Sequence, residues 1–293
     1  VKYTKRIPFV QEYHPSKKEI DLYEAVSDYL FREGTYGIPD RIRPLLSLLY
    51  RKIMSSSAYA LSFTLQSTIE RLKRIKDEGR QILSMSSVLN DLETIDNDDN
   101  SDSYETVEIS EQDKAAIDNE IEELRHYVSM AEEIGCETKA QALLKALTAS
   151  FDKVERLGGM RRALIFTESR KTQEYLKNFF EANGFRDKVV CFNGTNSNDE
   201  ANNIYQKWLL IHAGTSYVTG NLQIDKKQAL VDFFKDSAEI MIATEAGAEG
   251  INLQFCSLVV NYDMPWNPQR IEQRIGRCHR YGQKHDVVVV NFV

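Results

Sequence analysis

Five short apolar runs in residues 161–293 limit the fold more than any other feature of this chain: Ala163–Phe166, Val189–Phe192, Ile240–Ala243, Leu258–Asn261 and Val287–Val290. Apolar residues at successive rather than alternate positions mark strands covered on both faces. Helical patterns separate them, over about 170–183, from a Ser197-Asn198-Asp199-Glu200 capping box to about His212, and over about Lys226–Phe234. Strands alternating with helices specify an α/β fold built on a parallel sheet.

Open sheets of this kind collect ligands beyond the carboxyl ends of their strands. The residues delivered there are Thr167-Glu168-Ser169-Arg170, Asn193-Gly194-Thr195, Thr244 through Asn252, and Asp263 through Pro268. Asn267 is a suitable N-cap with Pro268 in the first helical position, so a helix opens there. It carries Arg270, Arg274 and Arg277 on one face, with Ile271, Ile275 and Cys278 as the adjacent apolar stripe. This spacing predicts guanidinium groups held along the rim of a core, in need of anions.

Residues 1–90 read as mostly helical, starting from a Ser16–Glu19 capping box, with Pro39 and Pro44 bracketing a break. Residues 91–113 carry ten acidic and no basic groups, and read as a flexible acidic loop. Helices resume over 114–160, and residues 161–293 form the α/β part. The acidic segment alone accounts for the formal net charge of −7, which leaves the remainder free to bind polyanions. No run reaches the roughly 18–20 apolar residues of a membrane span, so no membrane partner is expected. The four scattered cysteines fit a reducing, cytoplasmic compartment, and Cys278, His279 and His285 lack the fourth ligand of a zinc site. The chain starts on Val rather than Met and reads as an excised piece of a longer protein.

Thr244–Asn252, Pro265-Trp266-Asn267-Pro268-Gln269 and Gln273-Arg274-Ile275-Gly276-Arg277-Cys278-His279-Arg280 together resemble the last two signature motifs of superfamily-two helicases. The Trp-Asn-Pro linkage and the ending His279-Arg280-Tyr281-Gly282-Gln283 resemble the Swi/Snf branch, and within it the bacterial group of RNA-polymerase-recycling ATPases. Ala163–Arg170 resembles the first motif of that family's C-terminal lobe, and the helices holding Arg51-Lys52-Ile53-Met54-Ser55-Ser56-Ser57 resemble the bacterial group's helical insertion.

The resemblance implies a RecA-like parallel sheet flanked by helices, the second of two lobes that clamp ATP and Mg²⁺ while double-stranded DNA runs across both. Arg277 and Arg280 correspond to arginines that reach the nucleotide phosphates. Gly250, Asn252 and Gln273 match positions near the nucleotide, although many relatives carry Asp where Asn252 stands. Thr167, Arg170, Asn193 and Thr244 match positions at or near the DNA backbone. The implied partners are duplex DNA, the N-terminal lobe of the same protein, and RNA polymerase or another DNA-bound complex, in a cytoplasmic, nucleoid-associated setting.

No Gly-x-x-x-x-Gly-Lys-Ser/Thr loop and no acidic metal motif is present, and no Gly-Lys pair occurs anywhere. The phosphate cradle must therefore come from the other lobe, and the 293-residue chain alone is expected to be inactive. The alternative reading is a non-enzymatic RecA-like module that docks DNA or protein. A Rossmann-type cofactor enzyme is disfavoured, because no Gly-x-Gly-x-x-Gly follows the first strand of the α/β part.

Overall fold

The computed structural model describes residues 4–83 and 105–293. The chain forms two compact units: residues 1–13 with 139–293, and residues 14–138.

The larger unit is built on six parallel strands: β1 (Arg6–Gln11), β4 (Ala163–Phe166), β5 (Val189–Phe192), β6 (Ile240–Ala243), β7 (Leu258–Asn261) and β8 (Val287–Phe292), in the order β1-β8-β7-β4-β6-β5. Every position of β4, β5, β6 and β7 is buried, as the continuous apolar runs require. Alternate residues feed two cores. Leu164, Phe166, Met241 and Val259 face one, while Ala163, Ile165, Ile242 and Val260 face the other. The first core is closed by α7 (Asp199–His212), α8 (Leu222–Asp236) and α9 (Pro268–Cys278), and the second by α5 (Thr138–Arg156) and α6 (Arg170–Phe180).

Two local readings shift. Asn198, rather than Ser197, caps α7, its side chain accepting from Ala201 N at 2.8 Å. Arg6–Gln11 lies in the stretch read as helical, yet pairs in parallel with β8. An edge strand with one neighbour needs no continuous apolar run, and it tolerates Pro8, which cannot donate a ladder bond.

The smaller unit packs α1 (Lys17–Phe31), α2 (Arg43–Ser56), α3 (Ala58–Glu78) and α4 (Glu111–Glu132) around one core, beside a hairpin of β2 (Arg80–Leu83) and β3 (Glu105–Glu108). The Ser16–Glu19 capping box is formed. Buried Glu120 accepts from Tyr29 Oη (2.6 Å), Tyr36 N (2.9 Å) and Gly37 N (2.8 Å), which fixes the loop between α1 and α2. Of the acidic segment 91–113, residues 105–108 form β3, and a Ser110–Asp113 capping box opens α4. Residues 91–104 lie outside the described residues.

Candidate functional site

The chain runs from β4 out to β5, back to β6, then across β4 to β7, so the sheet reverses direction of growth around β4. The crevice at such a reversal is where α/β sheets bind ligands. The carboxyl ends of β5, β6 and β4 are stitched together there. Thr244 N donates to Phe192 O at 3.0 Å, and Thr167 N to Ala243 O at 3.1 Å. Gln173, buried on α6, donates from Nε2 to Ile242 O at 2.6 Å and Phe192 O at 3.1 Å.

Asn193 is locked after β5: its Oδ1 accepts from Asn196 N at 2.8 Å, and its Nδ2 donates to Gln173 Oε1 at 3.2 Å. Gly247 lies against it so closely that a Cβ would come within 2.6–2.9 Å of the Asn193 backbone. The loop after β6 can reach this position only with glycine there. Thr244 is buried, with its hydroxyl 3.4 Å from Gly247 N, and Arg170 opens α6.

On the neighbouring side Asn267 caps α9, its Oδ1 accepting from Gln269 N at 2.9 Å. The arginine face differs from the expected rim. Arg274 is 1% exposed and is the largest fully buried side chain. Its Nη1 donates to Asp263 O (2.6 Å) and Asn261 Oδ1 (3.2 Å), its Nη2 to Glu245 Oε2 (3.1 Å), and its guanidinium carbon stands 5.0 Å from the Phe166 ring centroid. The anion it needs is thus internal. Arg270 is exposed, 3.5 Å from Glu245 Oε2. Arg277 is half-buried on the last turn and Arg280 is exposed just beyond the helix. Among the described residues, neither of these two guanidiniums has a hydrogen-bond or ion-pair partner.

Leu253 N donates to Arg277 O at 3.0 Å, which brings the loop with exposed Gly250 (φ +79°) and exposed Asn252 alongside Arg277. Gln273 is exposed one turn earlier on α9. Gly250, Asn252, Gln273, Arg277 and Arg280 thus belong to one stretch, while Arg170, Asn193 and Thr244 lie along the ends of β4, β5 and β6. Thr167 is fully buried, and its Oγ1 donates to Asp263 Oδ2 at 2.7 Å, so its hydroxyl is directed inward.

Sequence reasoning gave no individual role to several organising residues: Lys139, whose Nζ is 2.9 Å from Asp263 Oδ1; Glu245; and Gln283, whose amide donates to Cys256 O (3.1 Å) and Cys278 O (3.0 Å) and so closes the end of α9. Position after a strand was the available signal for Asp263. For Lys139, on a helix 124 residues earlier, there was none.

Residues 138–282 match the family described as helicase conserved C-terminal domain. This chain carries a helicase C-terminal lobe. Its fold is RecA-like, and the chain is homologous to helicases of the Swi/Snf type. It is 49% identical over 107 residues to the uncharacterized ATP-dependent helicase YqhH of Bacillus subtilis (strain 168), covering 36% of this chain and 18% of that protein. It is 38% identical over 81 residues to the RNA polymerase-associated protein RapA of Serratia proteamaculans (strain 568), covering 28% of this chain and 8% of RapA. The matched part is therefore under a fifth of either relative. The crystal structure of the C-terminal part of the Fun30 ATPase domain superposes over 100% of this chain and 86% of its own, with a TM-score of 0.50 at 14% identity, a likeness of fold alone. Among the described residues of the helicase lobe and its helical unit, no helix is long and apolar enough to cross a membrane.

Proposed function

We propose that this lobe is the C-terminal half of an ATP-dependent motor that moves on double-stranded DNA and remodels DNA-bound protein complexes, RNA polymerase among the candidates. The observation that carries this reading is the pair Arg277 and Arg280, two guanidiniums with no intramolecular partner among the described residues, on and just beyond a helix whose neighbouring Arg274 is held through both terminal nitrogens. An unpaired guanidinium suits an external phosphate. ATP and Mg²⁺ would be held mainly by the N-terminal lobe, Mg²⁺ neutralising phosphate charge when bound. From this side Arg277 and Arg280 stabilise charge developing on the transferring phosphoryl group and its leaving oxygen. Gly250 and Asn252 border the nucleotide, with Asn252 able to hydrogen-bond a ribose hydroxyl, and Gln273 orients the arginines. Arg170, Asn193 and Thr244 follow the DNA backbone, contacts that position without reading sequence. Such a motor works in the cytoplasm, on the nucleoid.

The test is ATP hydrolysis by the full-length protein with and without duplex DNA. Arg277→Ala and Arg280→Ala should each lower kcat by about 10³-fold or more while DNA affinity is kept. A variant that retains most of its turnover removes that arginine from the assignment.

A further inference from the structure

Asp263 stands where three segments meet, and each takes a different atom of it. Oδ1 accepts from Lys139 Nζ on α5 at 2.9 Å. Oδ2 accepts from Thr167 Oγ1 at 2.7 Å and from Glu168 N at 2.9 Å, in the loop that follows β4. The main-chain oxygen accepts from Arg274 Nη1 on α9 at 2.6 Å. Asp263, Thr167, Lys139 and Arg274 are all buried. A close-packed residue bonded at both ends cannot follow one neighbour without pulling on the other. Displacement of the loop after β4 therefore moves the carboxylate, and the carbonyl of that same residue holds the helix that carries Arg277.

We propose, on the functional reading above, that Asp263 is a positioning residue coupling the DNA-facing loop after β4 to the arginine helix, so that DNA contact accelerates ATP hydrolysis by setting Arg277 and Arg280. It touches neither nucleotide nor DNA. Thr167, expected from the sequence to lie at the DNA backbone, is the input arm of this link. A buried ion pair such as Lys139–Asp263 is a poor source of stability compared with apolar packing. A positioning role gives that pair a function that stability alone does not.

The experiment measures ATP turnover of the full-length protein with and without saturating duplex DNA, and reads the ratio. Asp263→Asn leaves one acceptor oxygen where there were two. The Lys139 ammonium takes that oxygen and the amide NH₂ then opposes Glu168 N–H, so the bond to the loop's main chain is cut and Thr167 Oγ1 is left only as an acceptor. The ratio is expected to fall about fivefold or more, with DNA-free turnover near wild type. Adding Lys139→Met removes the competing donor and lets the amide oxygen turn to Thr167 and Glu168, so the double variant should recover stimulation. A residue that merely supported the fold would lower both rates together, and a second substitution would worsen the loss. A wild-type ratio in Asp263→Asn, or a double variant no better than the single, overturns the proposal. Should the single variant fail to fold, the double variant, which buries no unpaired charge, decides alone: a lost ratio in it is contrary. Wild-type protein without DNA stimulation would instead overturn the functional reading itself, a result seen before any substitution is made.

Discussion

Arg274 and Arg277, three residues apart on one short helix, have opposite fates, and the difference lies in what surrounds each guanidinium. Arg274 is enclosed by Glu245, Asn261, the Asp263 carbonyl and Phe166, whereas Arg277 and Arg280 meet no such set among the described residues. Removing one partner of a buried pair leaves the other uncompensated, a cost of about 3–5 kcal/mol. Glu245 is 27% exposed, so the lower end applies here. Arg274→Ala should thus lower the unfolding free energy by about 3 kcal/mol, and Arg277→Ala and Arg280→Ala by about 0.5 kcal/mol or less, measured by urea denaturation. Equal losses at all three would refute the division between structural and functional arginines. Spacing alone put the three helical arginines on one face; it could not say which one points inward, because that depends on carboxylates and carbonyls brought from β6 and β7. The cysteines divide in the same way. Burial pushes the Cys191 thiol up to about 12, and Cys278 is also raised, first by its contact with Cys256 and then by burial. A thiol whose folded pKa lies above its unfolded value favours the fold fully below the unfolded pKa. That contribution is lost as pH rises, here between about 9 and about 12 for Cys191. Alkylation near pH 8 should modify exposed Cys136 quickly and the three buried thiols only on unfolding; rapid modification of Cys191 would contradict the packing described.

At the scale of elements, the four inner strands were legible because burial on both faces leaves continuous apolar runs, a pattern that helices and edges do not produce. The edge strand β1 was not, since Phe9 and Val10 stay partly exposed and only β8 pairs with it. Glu105–Glu108 hid among acidic residues because a two-stranded hairpin asks little of its exposed side chains. Caps were legible to within a residue: Asn267 as read, Asn198 in place of Ser197. Loop contacts were beyond reach, and Gly247 shows why: its need for glycine arises from the Asn193 backbone, 54 positions away in the chain. Gly247→Ala should destabilise the protein by about 1–3 kcal/mol, as overpacking does, whereas Gly250, where a Cβ meets nothing within 4 Å, is strained only by its φ of +79°. Asn267→Ala should cost about 1 kcal/mol through loss of the α9 cap. Thermal or denaturant unfolding checks both, and an unchanged midpoint for Gly247→Ala would show that the two loops are not in contact.

Across the whole molecule, the change in sequence texture near Arg162 does not coincide with the boundary between units. The larger unit takes up the whole of α5 after Thr138, along with the first thirteen residues, while the amphipathic pattern of α5 resembles that of the helices before it. A helix pattern reports that one face is buried, not which core buries it. The candidate site was more legible than the unit boundaries, because strand ends and the arginine helix are local in sequence; the links through Lys139 and Asp263 are not. On the proposed reading, in which the other lobe supplies the phosphate cradle, the 293-residue chain alone should show no appreciable ATP turnover, with or without duplex DNA, and turnover by the isolated chain would refute the shared pocket. The most direct measurement is a structure of the full-length protein bound to Mg²⁺ and a non-hydrolysable ATP analogue. The account places guanidinium nitrogens of Arg277 and Arg280 within about 3 Å of phosphate oxygens held by the opposite lobe; both side chains turned to solvent, away from the triphosphate, would contradict it.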